Sequence, residues 1–116
     1  IAYQTYDVLR AMEEDAEVSI AGLKVDGGAS ANDFLMQFQA DILGNRVYRP
    51  ECIETTALGA AYLAGLSSGY YESRQQIREN WQLGREFVHE MSESKRELLL
   101  KGWKRAVKCA LAYAEE

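Results

Sequence analysis

The sequence predicts an α/β fold in which helix, strand, helix, strand and helix alternate, ending in a long C-terminal helix. Three observations carry this reading. Apolar residues recur at helical spacing from Ile1 to about Glu14, from Ser30 to Gly44 and through "TTALGAAYLAGLSSGYY". Between these blocks lie two short β-prone runs, "AGLKVD" and "NRVYRP", each bounded by turn residues. "SESKRELLLKGWKRAVKCALAYAEE" then holds an apolar stripe to the end of the chain. Strands joined through helices are expected to lie parallel, so at least two neighbouring parallel strands are predicted.

Each element has its own justification. In the first helix, Ile1, Val8 and Met12 share one face, with Tyr6 and Leu9 beside them; the polar "EEDAE" ends it. The strand Ala21 to Asp26 follows, bounded by glycine. In the second helix Phe34, Phe38 and Ile42 recur at i, i+4 and i+8, with Leu35 alongside. Ser30 and Asp33 have the spacing of a capping box, and Gly44 is a natural stop because it tolerates positive φ. Pro50 cannot donate a ladder hydrogen bond and is expected to close the second strand. Thr55 or Thr56 is expected to cap the third helix. Its small side (Ala57, Ala61, Ala64, Gly65) would admit a close neighbour, and Gly69 would end it. "SRQQIRENWQ" reads as either a short helix or a connector, and "REFVHE" as a short extended segment. In the last helix Leu99, Trp103, Ala106 and Ala110 form the stripe, widened by Leu100, Val107, Leu111 and Ala114.

Composition narrows the function. A chain of 116 residues with 47% hydrophobic and 27% charged content fits one soluble globular domain rather than a disordered chain. No apolar run approaches the roughly 20 residues of a membrane span. The net charge of −5 argues against nucleic acid as a partner. Lys101, Lys104, Arg105 and Lys108 read as a solvated helix face. Cys52 and Cys109 are far apart and His89 is the single histidine, so no metal cage of Cys and His is expected. Free thiols in a reducing cytoplasm are expected instead. The chain starts at Ile1 within a helical pattern, and we expect it to be a piece of a larger protein.

"LKVDGGASANDF" carries the chemistry. Two glycines at the carboxyl end of a strand allow unusual dihedrals and remove side chains, so that a ligand can lie against the main chain. The following helix start offers free N–H groups and partial positive charge, which suits phosphate. The pattern is neither a P-loop nor a GxGxxG fingerprint, and on spacing alone a tight packing turn explains it equally well. Asp26 reads as a loop-bracing acid or a water-mediated magnesium contact.

"YQTYDVLRAM", "LKVDGGASANDFLMQFQADILGNRVYRPECIETTALGAAYLAG" and "GWKRAVKCALAY", in that order, resemble the C-terminal end of the FGGY carbohydrate kinases. Within that family, "FLMQFQADILG" resembles glycerol kinases more than xylulose or gluconate kinases. The resemblance implies part of an actin-like ATPase (ribonuclease H-like) domain, with residues 1–116 forming the C-terminal portion of its nucleotide-side domain. It implies MgATP-dependent phosphorylation of glycerol to sn-glycerol 3-phosphate in the cytoplasm. ATP or ADP would be the partner here, and glycerol would be held by upstream parts. Nucleotide-binding residues carried over are Gly27, Gly28, Ala29 and Asn32, with Gly28 near the phosphates and ribose and the Asn32 amide toward the adenine. No catalytic residue is assigned, because in the family the catalytic aspartate lies upstream, and the chain alone is expected to be inactive. In the family fold the "LKVD" strand pairs with an upstream strand, so a homo-oligomer or a rearranged segment is expected to cover that edge here. Some bacterial members bind a sugar-transport regulatory protein near the end of the chain. "HEMSESKRE" does not resemble that surface, and no such partner is expected. Two alternatives stay open: a kinase of another polyol or sugar, and an interaction module in which "DGG" is only a turn.

Overall fold

Three helices end where the chain enters the left-handed region: at Glu17 (φ 53°), Gly44 (φ 65°) and Gly69 (φ 78°). The two glycines occupy the expected stops. The computed structural model describes residues 1–114. In chain order the elements are α1 (Ala2–Ala16), β1 (Gly22–Lys24), a 3₁₀ turn (Gly28–Ala31), α2 (Asp33–Leu43), β2 (Arg46–Pro50), α3 (Thr55–Ser68), α4 (Arg74–Glu79), β3 (Leu83–Phe87) and α5 (Glu93–Ala114).

The sheet has the order β1-β2-β3. β1 and β2 are parallel, with Leu23 opposite Val47, and α2 forms the expected crossover between them. β3, the "REFVHE" region, returns antiparallel to β2 and sets Phe87 opposite Val47. Met36, Ala40 and Leu43 of α2 close over this pair, and Tyr6 and Leu9 of α1 pack at the margin with Leu23 and Val25. Fully burying a side chain such as Val47 or Phe87 stabilises the fold by about 1.5–3 kcal/mol.

Several local expectations are corrected by this packing. On α1 the buried side holds Ala2, with Tyr6 and Leu9 half-buried, whereas Ile1, Val8 and Met12 are exposed. On α2 the stripe is turned by about one position. Met36, Gln39, Ala40 and Leu43 face inward with Ile42, while Phe34 is 79% exposed. Helical spacing alone does not say which of two adjacent apolar faces meets the sheet. β1 is shorter than Ala21 to Asp26, although Val25 N–H still donates to the Tyr48 carbonyl (3.0 Å). α3 is capped at position Glu54, not by a threonine hydroxyl, and Thr55 is used elsewhere. The small side of α3 meets its own continuation, since a Cβ on Gly65 would come within 2.5 Å of the Tyr71 ring. "SRQQIRENWQ" contains a true helix, α4, capped by the Ser73 hydroxyl accepting from Gln76 N–H (3.2 Å).

Among the described residues, α5 docks through an aromatic anchor at Trp103. The Trp103 indole stacks on Tyr3 (5.4 Å between centroids), and its Nε1–H donates to the Asp7 carboxylate (2.6 Å). Tyr3 meets Phe38 edge-on, so α1, α2 and α5 are joined by aromatic contacts. Leu99, Leu100 and Val107 of the predicted stripe are half-buried, but Ala106, Ala110 and Leu111 are exposed.

Candidate functional site

The loop after β1 is built by four restraints. The Asp26 carboxylate accepts from the Thr55 hydroxyl at the start of α3. Gly27 N–H donates to the Ile53 carbonyl (2.8 Å). Ser30, 2% exposed, donates both its N–H (3.0 Å) and its hydroxyl (2.7 Å) to the Gly27 carbonyl. The Ser30 carbonyl accepts from Arg49 on β2 (2.8 Å). Asp26 therefore braces the loop, one of its two readings in the sequence.

The two glycines serve different purposes. Gly27 has φ 77° and ψ 170°, a region open essentially only to glycine. Gly28 has no positive φ, and a Cβ added to it would meet nothing within 4 Å. Among the described residues, neither the backbone nor the packing requires glycine at position 28. Gly28 and Ala29 are exposed, and among the described residues their N–H groups donate to no acceptor. Those amides open the 3₁₀ turn on an exposed stretch of main chain.

Asn32 is the N-cap of α2, with its Oδ1 accepting from Leu35 N–H (3.0 Å). The Ser30–Asp33 capping box is thus corrected: Ser30 turns back to Gly27 and Asn32 takes the cap. The cap also fixes the orientation of the Asn32 side chain, committing its oxygen and leaving its NH₂ as an unpaired, exposed donor among the described residues. Asp33 beside it is held by two arginines, Arg49 (2.8 Å) and Arg85 (2.5 Å), one on each carboxylate oxygen. The hydrogen bond from Arg49, assisted by the charge of Arg85, holds the Asp33 carboxyl below the ordinary aspartate value.

The structure thus brings Gly27, Gly28, Ala29 and Asn32 to one end of the sheet, at the carboxyl end of β1. The supporting residues Ser30, Arg49 and Arg85 were not singled out by sequence reasoning. One signal was available: on β2, Arg49 shares the strand face of the buried Val47, and a charge on a core-facing position demands a partner. A cleft of about 680 Å³ lies between α3, α4 and the sheet. Its lining includes Lys24, Thr55, Tyr62, Arg78 and Trp81, and none of the four predicted site residues.

Comparison with known proteins bears on the family and the fold. Residues 1–68 match the model of the FGGY family of carbohydrate kinases, C-terminal domain. The whole chain is 66% identical to glycerol kinase of Lachnoclostridium phytofermentans and 63% identical to that of Caldanaerobacter subterraneus subsp. tengcongensis. It spans 23% of the length of each. Among solved structures, Plasmodium falciparum glycerol kinase with ADP superposes with a TM-score of 0.76 at 28% identity, over 92% of this chain and 22% of that one. Xylulose kinase from Lactobacillus acidophilus gives 0.71 at 20% identity, over 97% of this chain and 23% of that one, a likeness of fold. The α/β architecture is that of the actin-like ATPase fold of these kinases. With its strand–glycine-turn–helix unit and its match over more than half its length, this chain belongs to the FGGY family of carbohydrate kinases, in the C-terminal domain.

Proposed function

We propose that this chain is the nucleotide-side C-terminal part of a kinase that transfers the γ-phosphate of ATP to glycerol, giving sn-glycerol 3-phosphate and ADP. The observation that carries the reading is the turn at Gly28, where among the described residues a Cβ would meet nothing within 4 Å and the Gly28 and Ala29 amides have no acceptor. Bare main chain at that point leaves room for a ligand, and the free Gly28 and Ala29 amides offer donors to phosphate or ribose oxygens. The Asn32 NH₂ offers one donor to an acceptor on the base edge, with its oxygen occupied by the cap. The relatives named glycerol kinase support the choice of glycerol, and the ADP of the Plasmodium structure supports the nucleotide.

In such a reaction a glycerol hydroxyl oxygen bonds to the γ-phosphorus and its proton passes to a base outside these residues, while the bond from the γ-phosphorus to the bridging oxygen breaks and ADP leaves with that oxygen. This chain's part is to hold the nucleotide, since phosphoryl transfer depends mainly on positioning and electrostatics. Mg²⁺ would arrive with the phosphates and keep most of its ligands as phosphate oxygens and water. The reaction would run in the cytoplasm, with glycerol bound by parts of the protein outside these residues.

The test is Gly28→Val in the full-length protein. The added side chain enters the proposed nucleotide space while φ at this position stays ordinary. KM for ATP is expected to rise at least about tenfold, the equivalent of roughly 1.4 kcal/mol, with KM for glycerol nearly unchanged. No change in either constant would reject the nucleotide role and favour a packing turn. Activity of the same protein on a panel of polyols tests the choice of glycerol.

A further inference from the structure

Arg49 and Arg85 face each other directly across β2 and β3. Like charges directly opposite destabilise a strand pair, and here both guanidinium groups also lie over one ring, Phe87, at 5.2 and 4.7 Å. What the two arginines share is Asp33, whose carboxylate receives one arginine on each oxygen. Arg49 does more than Arg85. Its Nη1 also donates to the carbonyl of Ser30 (2.8 Å), the residue that locks the Gly27 carbonyl. Its side chain is only 17% exposed, against 53% for Arg85. Arg49 therefore fastens the end of the glycine turn and the first turn of α2 to one strand. Asn32 lies between the two anchor points, Ser30 and Asp33.

We propose that Arg49 is a positioning residue for nucleotide binding: it sets the spacing between the Gly28 turn and the Asn32 amide, and Arg85 assists through Asp33. The inference rests on the nucleotide reading given above. Both bonds leave one nitrogen, Nη1; its two N–H groups are fixed in the guanidinium plane and so aim at the carbonyl and the carboxylate together, whereas a lysine presents a compact point charge on a flexible stem.

Arg49→Lys, Arg85→Lys and Asp33→Asn in the full-length protein test it, read by steady-state kinetics, by calorimetric titration of ATP without glycerol, and by melting temperature. Arg49→Lys keeps the charge and loses the fixed planar geometry of the bridge. It is expected to raise both KM and Kd for ATP about five- to twenty-fold, a change worth about 1–1.8 kcal/mol, with kcat and KM for glycerol within about twofold. Arg85→Lys, which loses only the Asp33 contact, is expected to shift ATP affinity less than Arg49→Lys. Asp33→Asn is expected to make Arg49→Lys partly redundant, so that the double variant falls short of the product of the single effects. Unchanged ATP affinity in a stably folded Arg49→Lys overturns the proposal. So does a variant that loses kcat and both substrate affinities together with its melting temperature, which marks a purely structural role. If Arg49→Lys fails to fold, the Asp33→Asn affinity decides: unchanged binding overturns the proposal and weakened binding supports it. Gly28→Val separates the two levels. If it weakens ATP binding and Arg49→Lys does not, only the positioning role fails. If neither variant has an effect, the nucleotide reading itself fails.

Discussion

At the scale of single residues, Asn32 joins a structural and a proposed functional role in one amide. Its oxygen caps α2 and its nitrogen is left over. The two roles can be separated by chemistry. Aspartate caps a helix about as well as asparagine but has no NH₂ to donate. Asn32→Asp in the full-length protein is expected to leave the melting temperature nearly unchanged and to raise KM for ATP about tenfold. Asn32→Ala loses both roles, so it should also cost about 1 kcal/mol of stability in denaturant unfolding. If Asn32→Asp binds ATP as the parent does, the nitrogen makes no contact with nucleotide. Gly27 and Gly28 show the same need to separate causes. Gly27 is required by its dihedrals, and Gly28 by nothing inside the chain. The doublet reads alike in sequence because dihedral demand and open space are both invisible there.

At the scale of elements, α2 is the piece that the site depends on. Its buried face closes the core, its cap is Asn32, and its first turn carries Asp33 between two arginines. A carboxylate there also suits the positive end of the helix. Because the Asp33 pKa is lower in the folded chain than in the unfolded one, the clamp contributes stability above the ordinary aspartate value. That contribution is lost as pH falls from about 4 through the depressed value. Melting temperature measured against pH should therefore fall more steeply below about pH 4 in the parent than in Asp33→Asn. Parallel curves would mean that the clamp is not formed in solution. The effect is expected to be modest, since the Asp33 side chain is 53% exposed and solvent screens the pair.

At the scale of the whole molecule, the chain is elongated. Its radius of gyration is 18.0 Å, against roughly 13–14 Å for a compact domain of this length. α3 has no buried residue and α5 is anchored chiefly at Trp103. β1 lies at the sheet edge with one side unpaired, and edge strands are templates for further pairing. Taken alone, residues 1–116 are expected to sediment as a dimer or larger species; a monomer at high concentration would argue against coverage of this edge by a second copy. The isolated chain supplies one side of the proposed site, so ATP binding by calorimetry should be millimolar or weaker, a complex worth about 4 kcal/mol at most. Micromolar binding would mean that these residues form the nucleotide site unaided. Among the described residues no helix is long and apolar enough to cross a membrane.

The order of helices and strands, the parallel pair, the glycine stops at Gly44 and Gly69 and the glycine turn at Gly27 and Gly28 were legible in the sequence. These depend on periodicity and on backbone freedom, which are local properties of residue type. Packing decided the rest. Which face of α1 and α2 turned inward depended on where Val47 and Phe87 lay, and so Phe34 came out exposed while Met36 went in. The identity of the cap depended on Ser30 being drawn back to Gly27, which left the role to Asn32. The joining of Arg49 to Ser30 and Asp33 spans 19 and 16 positions, and only β2 lying beside β1 in parallel brings those groups into hydrogen-bond range. Contacts of that separation follow from strand register and helix placement, which exist only once the chain has folded.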